Sequence, residues 1–250
     1  MNLRYRIIIT LALWALIASW CSLPAVGQTL KLGYIEFPPF TYTAENNTPA
    51  GLFIDLANHI FPHTGLSFTA ESYPVRRLAS YIGSGDLDVW MGLATLPEFT
   101  GKAHIGKTPI AALVLRAYTR GKKPPIRVKE DLIGKSIIVM RGYSYGGWIT
   151  YIEDPANKIN HIKANKHEAA FNMLKANRAD YLLDYREPSD MALQSVSIPD
   201  LTFNQISALP CYIVISRNTP DGQTILDRLE TSYHTLKQAG VIADPHVNEE

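Results

Sequence analysis

Between residues 29 and 34 polar and apolar positions alternate, with Leu30, Leu32 and Tyr34 on one parity, the period of a strand with one buried face. An aromatic-proline elbow follows, Phe37-Pro38-Pro39-Phe40, and then a polar hairpin through Asn46, Asn47 and Gly51. From 51 to 63 the period becomes helical: Phe53, Leu56, Ala57 and Ile60 recur on one face. Asp55 sits in the first turn, where the helix dipole favours an acid, and Pro62 and Gly65 end the run. Residues 66–70 read as a strand. A short helix is predicted over 76–82, stopped by Gly83 and Gly85. The run 87–93 (LDVWMGL) is almost continuously apolar, the mark of a strand buried on both faces, and 111–118 is a second such strand.

The pattern then breaks. Residues 119–129 (TRGKKPPIRVK) are basic and carry Gly121 and Pro124-Pro125, a linker signature. Beyond it come a turn at 131–135, a strand at 136–140, a glycine-rich loop at 141–147 and a helix. A second helix (169–174), a strand (179–183), a turn (185–188) and a strand (210–216) follow. The last helix, 221–238, places Ile225, Leu229, Tyr233 and Leu236 at helical spacing and stops at Gly240. No internal repeat appears. Strands alternating with helices predict an α/β class with largely parallel sheets.

Composition adds compartment rather than fold. The 250 residues are 46% hydrophobic and 19% charged, ordinary for a globular chain. Arg4 and Arg6 precede an apolar run from Ile7 to Ala18, and Ala25-Val26-Gly27 is a small-x-small site, so 1–27 reads as a cleaved secretory signal. Trp20 before Cys21 is too bulky for a lipid-attachment site. Losing Arg4 and Arg6 takes the formal charge from +1 to −1, which removes any electrostatic case for nucleic-acid binding. Cys211 is then the sole cysteine, expected as a buried, inert thiol with no disulfide.

Several motifs recur in a telling order: Gly51 with Asp55, Gly85 with Asp88, the run Asp131-Leu132-Ile133-Gly134-Lys135 ahead of a strand, Gly142 opening a small-residue loop, and Asn177-Arg178-Ala179-Asp180 ahead of another. With the elbow and the signal, these make the chain resemble the bacterial periplasmic solute-binding proteins of family 3, the amino-acid-binding class of transport receptors. The resemblance implies a two-lobed, type II periplasmic binding fold, each lobe a mainly parallel sheet flanked by helices. Lobe 1 would be 28–115 plus 213–250 and lobe 2 116–212, with hinge crossings near 119–129 and 210–216. It further implies a periplasmic monomer that captures a small-molecule ligand by hinge closure for an inner-membrane ABC transporter permease. No catalysis, cofactor or metal is required.

The same resemblance locates the ligand site and shows where this chain departs from it. Family members hold the ligand's carboxylate with an arginine about twelve residues after the Asp88-like aspartate, because a guanidinium offers it a bidentate match; here that place falls on Thr100 or Phe99. The aspartate that receives the ammonium falls on Tyr185, with Asp184 one residue off and so on the opposite strand face unless a bulge intervenes. Both partners of a zwitterion are thus in question, and the expected ligand is a small polar solute, amino-acid-like or otherwise anionic or aromatic-bearing. The candidate ligand-binding residues are Tyr34, Phe37, Arg76, Gly92, Thr95, Arg141, Tyr143, Ser144, Tyr145, Asp184 and Tyr185, with Arg76, Arg77 and Arg141 competing to replace the lost arginine. Trp90 and Trp148 read as core.

Other readings stay open at this point. A cyclohexadienyl dehydratase-like enzyme on the same fold would need a cleft acid held protonated, such as Glu36 or Glu98. A ligand-sensing receptor would use the same closure. Ser144 in Gly-Tyr-Ser-Tyr-Gly has the spacing of a nucleophile elbow, with Asp184 and His234 or His246 as nominal partners. His59 and His63 are four apart on a helix, but no third metal ligand accompanies them.

Overall fold

Strand β1 (Thr29–Tyr34) buries the expected parity, Leu30, Leu32 and Tyr34. The computed structural model describes residues 28–242, so the signal segment and His246 lie outside the described residues. A small hairpin, β2 (Tyr42–Thr43) and β3 (Pro49–Ala50), leads into α1 (Leu52–His63), which buries Phe53, Ile54, Ala57, Ile60 and Phe61. Gly51 must be glycine: its φ is 108° and a Cβ would lie 2.6 Å from the Phe40 carbonyl oxygen. Strand β4 (Ser67–Ser72), α2 (Val75–Ser84), β5 (Val89–Leu93) and the three-residue β6 (Ala103–Ile105) follow.

The second unit runs β7 (Ala111–Arg120), β8 (Ser136–Met140), α3 (Trp148–Glu153), β9 (Asn160–Ala164), α4 (His167–Lys175), β10 (Tyr181–Tyr185) and α5 (Arg186–Leu193). The long β11 (Leu201–Ser216) and α6 (Gly222–Gln238) complete the chain.

All but the small hairpin join one nine-stranded sheet, ordered β4-β1-β5-β11-β7-β10-β8-β9 with β6 alongside β11. Within it β4, β1 and β5 are parallel at one end, and β10, β8 and β9 are parallel at the other. The two ends meet only through an antiparallel ribbon of β7 and β11, paired from Leu201 opposite Arg120 to Cys211 opposite Ala111, with a bulge between Gln205 and Ser207. The Cys211–Ile215 end of β11 carries β5, whereas the Leu115–Thr119 end of β7 carries β10. This is the two-lobed α/β architecture expected from the motifs.

Those motifs prove to be joints. Asp88 accepts the backbone N–H of Lys31 at 2.8 Å and the Thr219 hydroxyl at 2.7 Å, tying β1 to the turn after β11. Asp131 accepts the N–H groups of Arg127 and Val128. Asp180 takes the Ser136 N–H and hydroxyl and the Lys123 ammonium, which hold its carboxyl far below the ordinary range.

Four points of the sequence reading needed correction. The strand at 210–216 begins nine residues earlier, at Leu201, because the first part of β11 exposes much of its surface and reads as polar. The turn at 185–188 is the start of α5: Pro188 is its third residue, where a helix has no use for the missing N–H. Strand β9, with the polar sequence NHIKA, sits at the sheet edge and gave no periodic signal. The segment 119–129 also overlaps β7, whose last residues Thr119 and Arg120 still pair with β11.

Candidate functional site

Two adjoining cavities lie between the lobes. The smaller, of about 60 Å³, is bounded by Phe37, Trp90, Gly92, Leu113, Tyr143 and Tyr185. The larger, of about 910 Å³, is charged: Arg76, Thr95 and Glu98 face it from one lobe, and Arg141, Glu153 and Lys163 from the other. Tyr143 and Ser144 border both.

The lobe 1 wall is shaped by close steric fit. The Phe37 N–H bonds the Thr41 carbonyl at 2.7 Å, closing the elbow, and its ring stacks on Phe40 at 5.2 Å. That ring reaches across the cleft, edge-on to Tyr143 at 5.3 Å and to Tyr185 at 5.7 Å. The Trp90 indole N–H donates to the Leu93 carbonyl at 3.0 Å and folds the ring over Gly92, where a Cβ would come within 2.2 Å of it. Trp90 is therefore both buried, as expected of core, and a wall of the small cavity. Glu36 accepts the Thr43 N–H at 2.9 Å and the Thr43 hydroxyl at 2.6 Å. Partial burial opposes its charge, but hydrogen bonds from Thr43 and Ser72 outweigh that and hold the carboxyl below its ordinary value.

The lobe 2 wall is a hydrogen-bonded chain behind an aromatic face. Tyr145, at φ 50° and fully buried, accepts the Met140 N–H at 2.6 Å and braces the loop from within. The Tyr143 hydroxyl lies 3.1 Å from His167 Nε2, and His167 Nδ1 lies 2.6 Å from Asp184 Oδ2. Asp184 has no exposed surface, and its Oδ1 accepts the Tyr185 N–H at 2.8 Å. Burial pushes its carboxyl up, against the downward pull of His167. Burial likewise raises the phenols of Tyr143 and Tyr185, and it takes the Cys211 thiol up to about 12.

Of the residues singled out from sequence, Phe37, Arg76, Gly92, Thr95, Arg141, Tyr143, Ser144 and Tyr185 line one or both cavities. Three stand behind the walls: Tyr34, buried with its hydroxyl 2.8 Å from that of Thr43, together with Tyr145 and Asp184. Strand parity decides between the last pair of β10, putting Tyr185 on the cleft and Asp184 beneath it. At the two places where the clamp arginine would fall, Phe99 is buried under α2 and Thr100 is exposed. Arg141 reaches the larger cavity with its Nε donating to Asn165 at 2.8 Å. Lys163 pairs with Glu153 at 2.5 Å. That bond, and more weakly the charge of Arg76 from the other lobe, lowers the Glu153 carboxyl.

Sequence reasoning missed His167. It lies 17 residues from Asp184 and 24 from Tyr143, on an element of its own, and no local spacing links the three. The nominal hydrolase partners do not assemble: Asp184 bonds His167, while His234 bonds the Thr108 hydroxyl at 2.8 Å. His63 contacts the Ser232 hydroxyl at 3.0 Å, and among the described residues no group of three or more His, Cys, Asp or Glu is placed to hold a metal ion.

No family model matches the chain. In sequence it is 22% identical over 130 residues to the L-cystine-binding protein TcyJ of Escherichia coli strain K12, covering 48% of this chain and 49% of that protein. The match thus spans about half the length of the curated relative. In structure it is similar to a histidine kinase sensor domain that itself resembles periplasmic binding proteins, with a TM-score of 0.68, 18% identity, and 86% and 92% of the two chains covered. It is also similar to an ancestral arginine-binding protein solved with arginine, at a TM-score of 0.63, 21% identity, and 85% and 93% coverage. Holo ArgBP from T. maritima aligns at a TM-score of 0.62 with 21% identity, over 84% of this chain and 90% of that one. The chain is thus similar in fold, over most of its length, to these arginine-binding proteins and to the sensor domain, and in sequence, over about half of it, to the L-cystine-binding protein.

Proposed function

We propose that this protein captures a small solute between its lobes and holds it by hinge closure, as a periplasmic receptor serving a membrane transporter. The observation that carries this reading is the cleft itself. Residues from both halves of the sheet line it, and Phe37 meets Tyr143 and Tyr185 across it, so an occupant touching both walls favours the closed state. The lobes are taken as 28–115 plus 213–250 and 116–212, hinged on the β7–β11 ribbon. The relatives' names speak of cystine and arginine binding, and an amino-acid-like solute is the starting hypothesis for this chain too. No helix among the described residues is long and apolar enough to cross a membrane; the partner we propose is an ABC-type permease of the inner membrane. A dehydratase would need a protonated acid in the cleft; of the two acids nominated for it, Glu36 is held below its ordinary value by hydrogen bonds from Thr43 and Ser72, and Glu98 borders the larger cavity.

A thermal-shift screen across amino acids, organic acids, aromatic acids and polyamines tests this reading. A specific solute raises the melting midpoint by linkage, about 2.7 kcal/mol of stabilisation at a hundredfold excess over Kd. Turnover of a bound compound, or no shift from any class, would sink it.

A further inference from the structure

We infer that the Tyr143–His167–Asp184 chain fixes the Tyr143 hydroxyl as a hydrogen-bond donor into the cleft, so that lobe 2 receives an acceptor group of the solute, a carboxylate or carbonyl oxygen, where the family pattern would seat an ammonium. This deepens the solute-capture reading and rests on it.

The inference follows from counting protons. The 2.6 Å contact between His167 Nδ1 and Asp184 Oδ2 contains one proton, whichever atom holds it. When the pair is neutral overall it carries a second proton; Asp184 Oδ1 already accepts the Tyr185 N–H and the Ser189 hydroxyl also favours the charged carboxyl, so we place that proton on His167 Nε2. That is so whether the pair is imidazolium with carboxylate or imidazole with carboxylic acid. Nε2 then donates to the Tyr143 oxygen 3.1 Å away, and the phenolic O–H is left to point elsewhere. Only a pair stripped to one proton, with a net negative charge, would make Tyr143 donate backwards to His167.

Burial opposes that stripped state. Asp184 has no exposed surface, and a lone charge there is costly. Among the described residues no other cation pairs with it: Arg116, its register partner on β7, is committed to Asp190 at 3.3 Å and lies over the Phe203 ring. On α5, Glu187 is paired with Arg186, and on β9, Lys163 is paired with Glu153. The phenols around the chain, Tyr145 and Tyr185 beside Tyr143 and Tyr118 against α4, are all pushed up by burial and stay neutral. His161 on β9 is half-buried, while Lys166 and Glu168, flanking His167 on the chain, are exposed to solvent.

Tyr143 borders both cavities, beside Ser144, and Arg141 borders the larger one. An acceptor there would be met by a neutral donor, whereas Asp184, the lobe 2 carboxylate of the family pattern, is sealed behind the wall; the carboxylates on the larger cavity are Glu36 and Glu98 of lobe 1 and Glu153, which Lys163 pairs. The small cavity, about 60 Å³ against the roughly 150 Å³ that accommodates benzene, has room for a short aliphatic branch and not for a ring.

Two measurements test this. First, the unliganded protein, labelled with ¹⁵N-histidine, has seven histidines, and His167 is assigned by its loss in His167→Gln. The expected spectrum shows His167 Nε2 protonated at neutral pH. A bare Nε2 at neutral pH overturns the inference, whether or not any solute binds. Second, calorimetry compares isocaproate, isoamylamine and leucine, which share one apolar branch and differ in their charged groups. Isocaproate should bind about tenfold or more tighter than isoamylamine, and Tyr143→Phe should lose about tenfold for isocaproate alone. Tighter binding of the amine overturns the inference while upholding solute capture. Failure of all three to bind counts against capture of solutes of this size, with the histidine spectrum still deciding the relay.

Discussion

The two walls of the cleft are built on different physics. On lobe 1, Phe37, Trp90 and Gly92 are set by contacts close in the chain: an elbow closed within five residues, and an indole folded over a glycine two positions away. On lobe 2, Tyr143, His167 and Asp184 come from a loop, a helix and a strand and hold one another by two hydrogen bonds. The first wall is a steric fit and should tolerate change in proportion to volume. The second is a buried polar network, which fails sharply when one member is removed because its partners are left unsatisfied.

The largest effect should therefore come from lobe 2. Asp184→Ala leaves His167 Nδ1 and the Tyr185 N–H without partners inside a sealed wall, and should destabilise the protein by about 3–5 kcal/mol. Urea unfolding measures it, and a loss below about 1 kcal/mol would erase the distinction between the walls. The lobe 1 counterpart is Gly92→Ala, whose Cβ would lie 2.2 Å from the Trp90 ring and must displace it. We expect a cost of about 1–3 kcal/mol, accompanied by a red-shifted tryptophan emission as the indole turns toward the cleft. An unshifted spectrum would mean that Trp90 does not shape that wall.

The same contrast explains how much could be read before the fold was known. Lobe 1's Phe37, Gly92 and Thr95 follow from motif and strand position, and all three face the cleft. The joints at Gly51, Asp88 and Asp180 were visible for a similar reason, since each serves a turn or strand end whose chemistry demands that residue type. His167 was invisible because its role exists only after β8, α4 and β10 are brought together. Asp184 and Tyr185 were both nominated because a single residue of register separates cleft from core, and only the observed pleat resolves it. The polar first half of β11 trades core burial for ribbon pairing, so no hydrophobic period marks it.

The smallest expected effect asks whether lobe 2 depends on electrostatics outside the cleft as well. Asp180 is held far below the ordinary carboxylate range, first by the Lys123 ammonium and then by the N–H and hydroxyl of Ser136. Because the folded value is depressed, this contribution is full above the unfolded value near 4 and is lost as pH falls through the folded one. The Asp180 side chain is 40% exposed, so solvent screening reduces its share to about 1 kcal/mol. Asp180→Asn should lower stability by that amount at neutral pH and by progressively less under acid, so that the wild-type and variant urea midpoints converge. Parallel curves would mean that the Asp180 joint works by geometry alone, making it more like the lobe 1 wall than like its own lobe's relay.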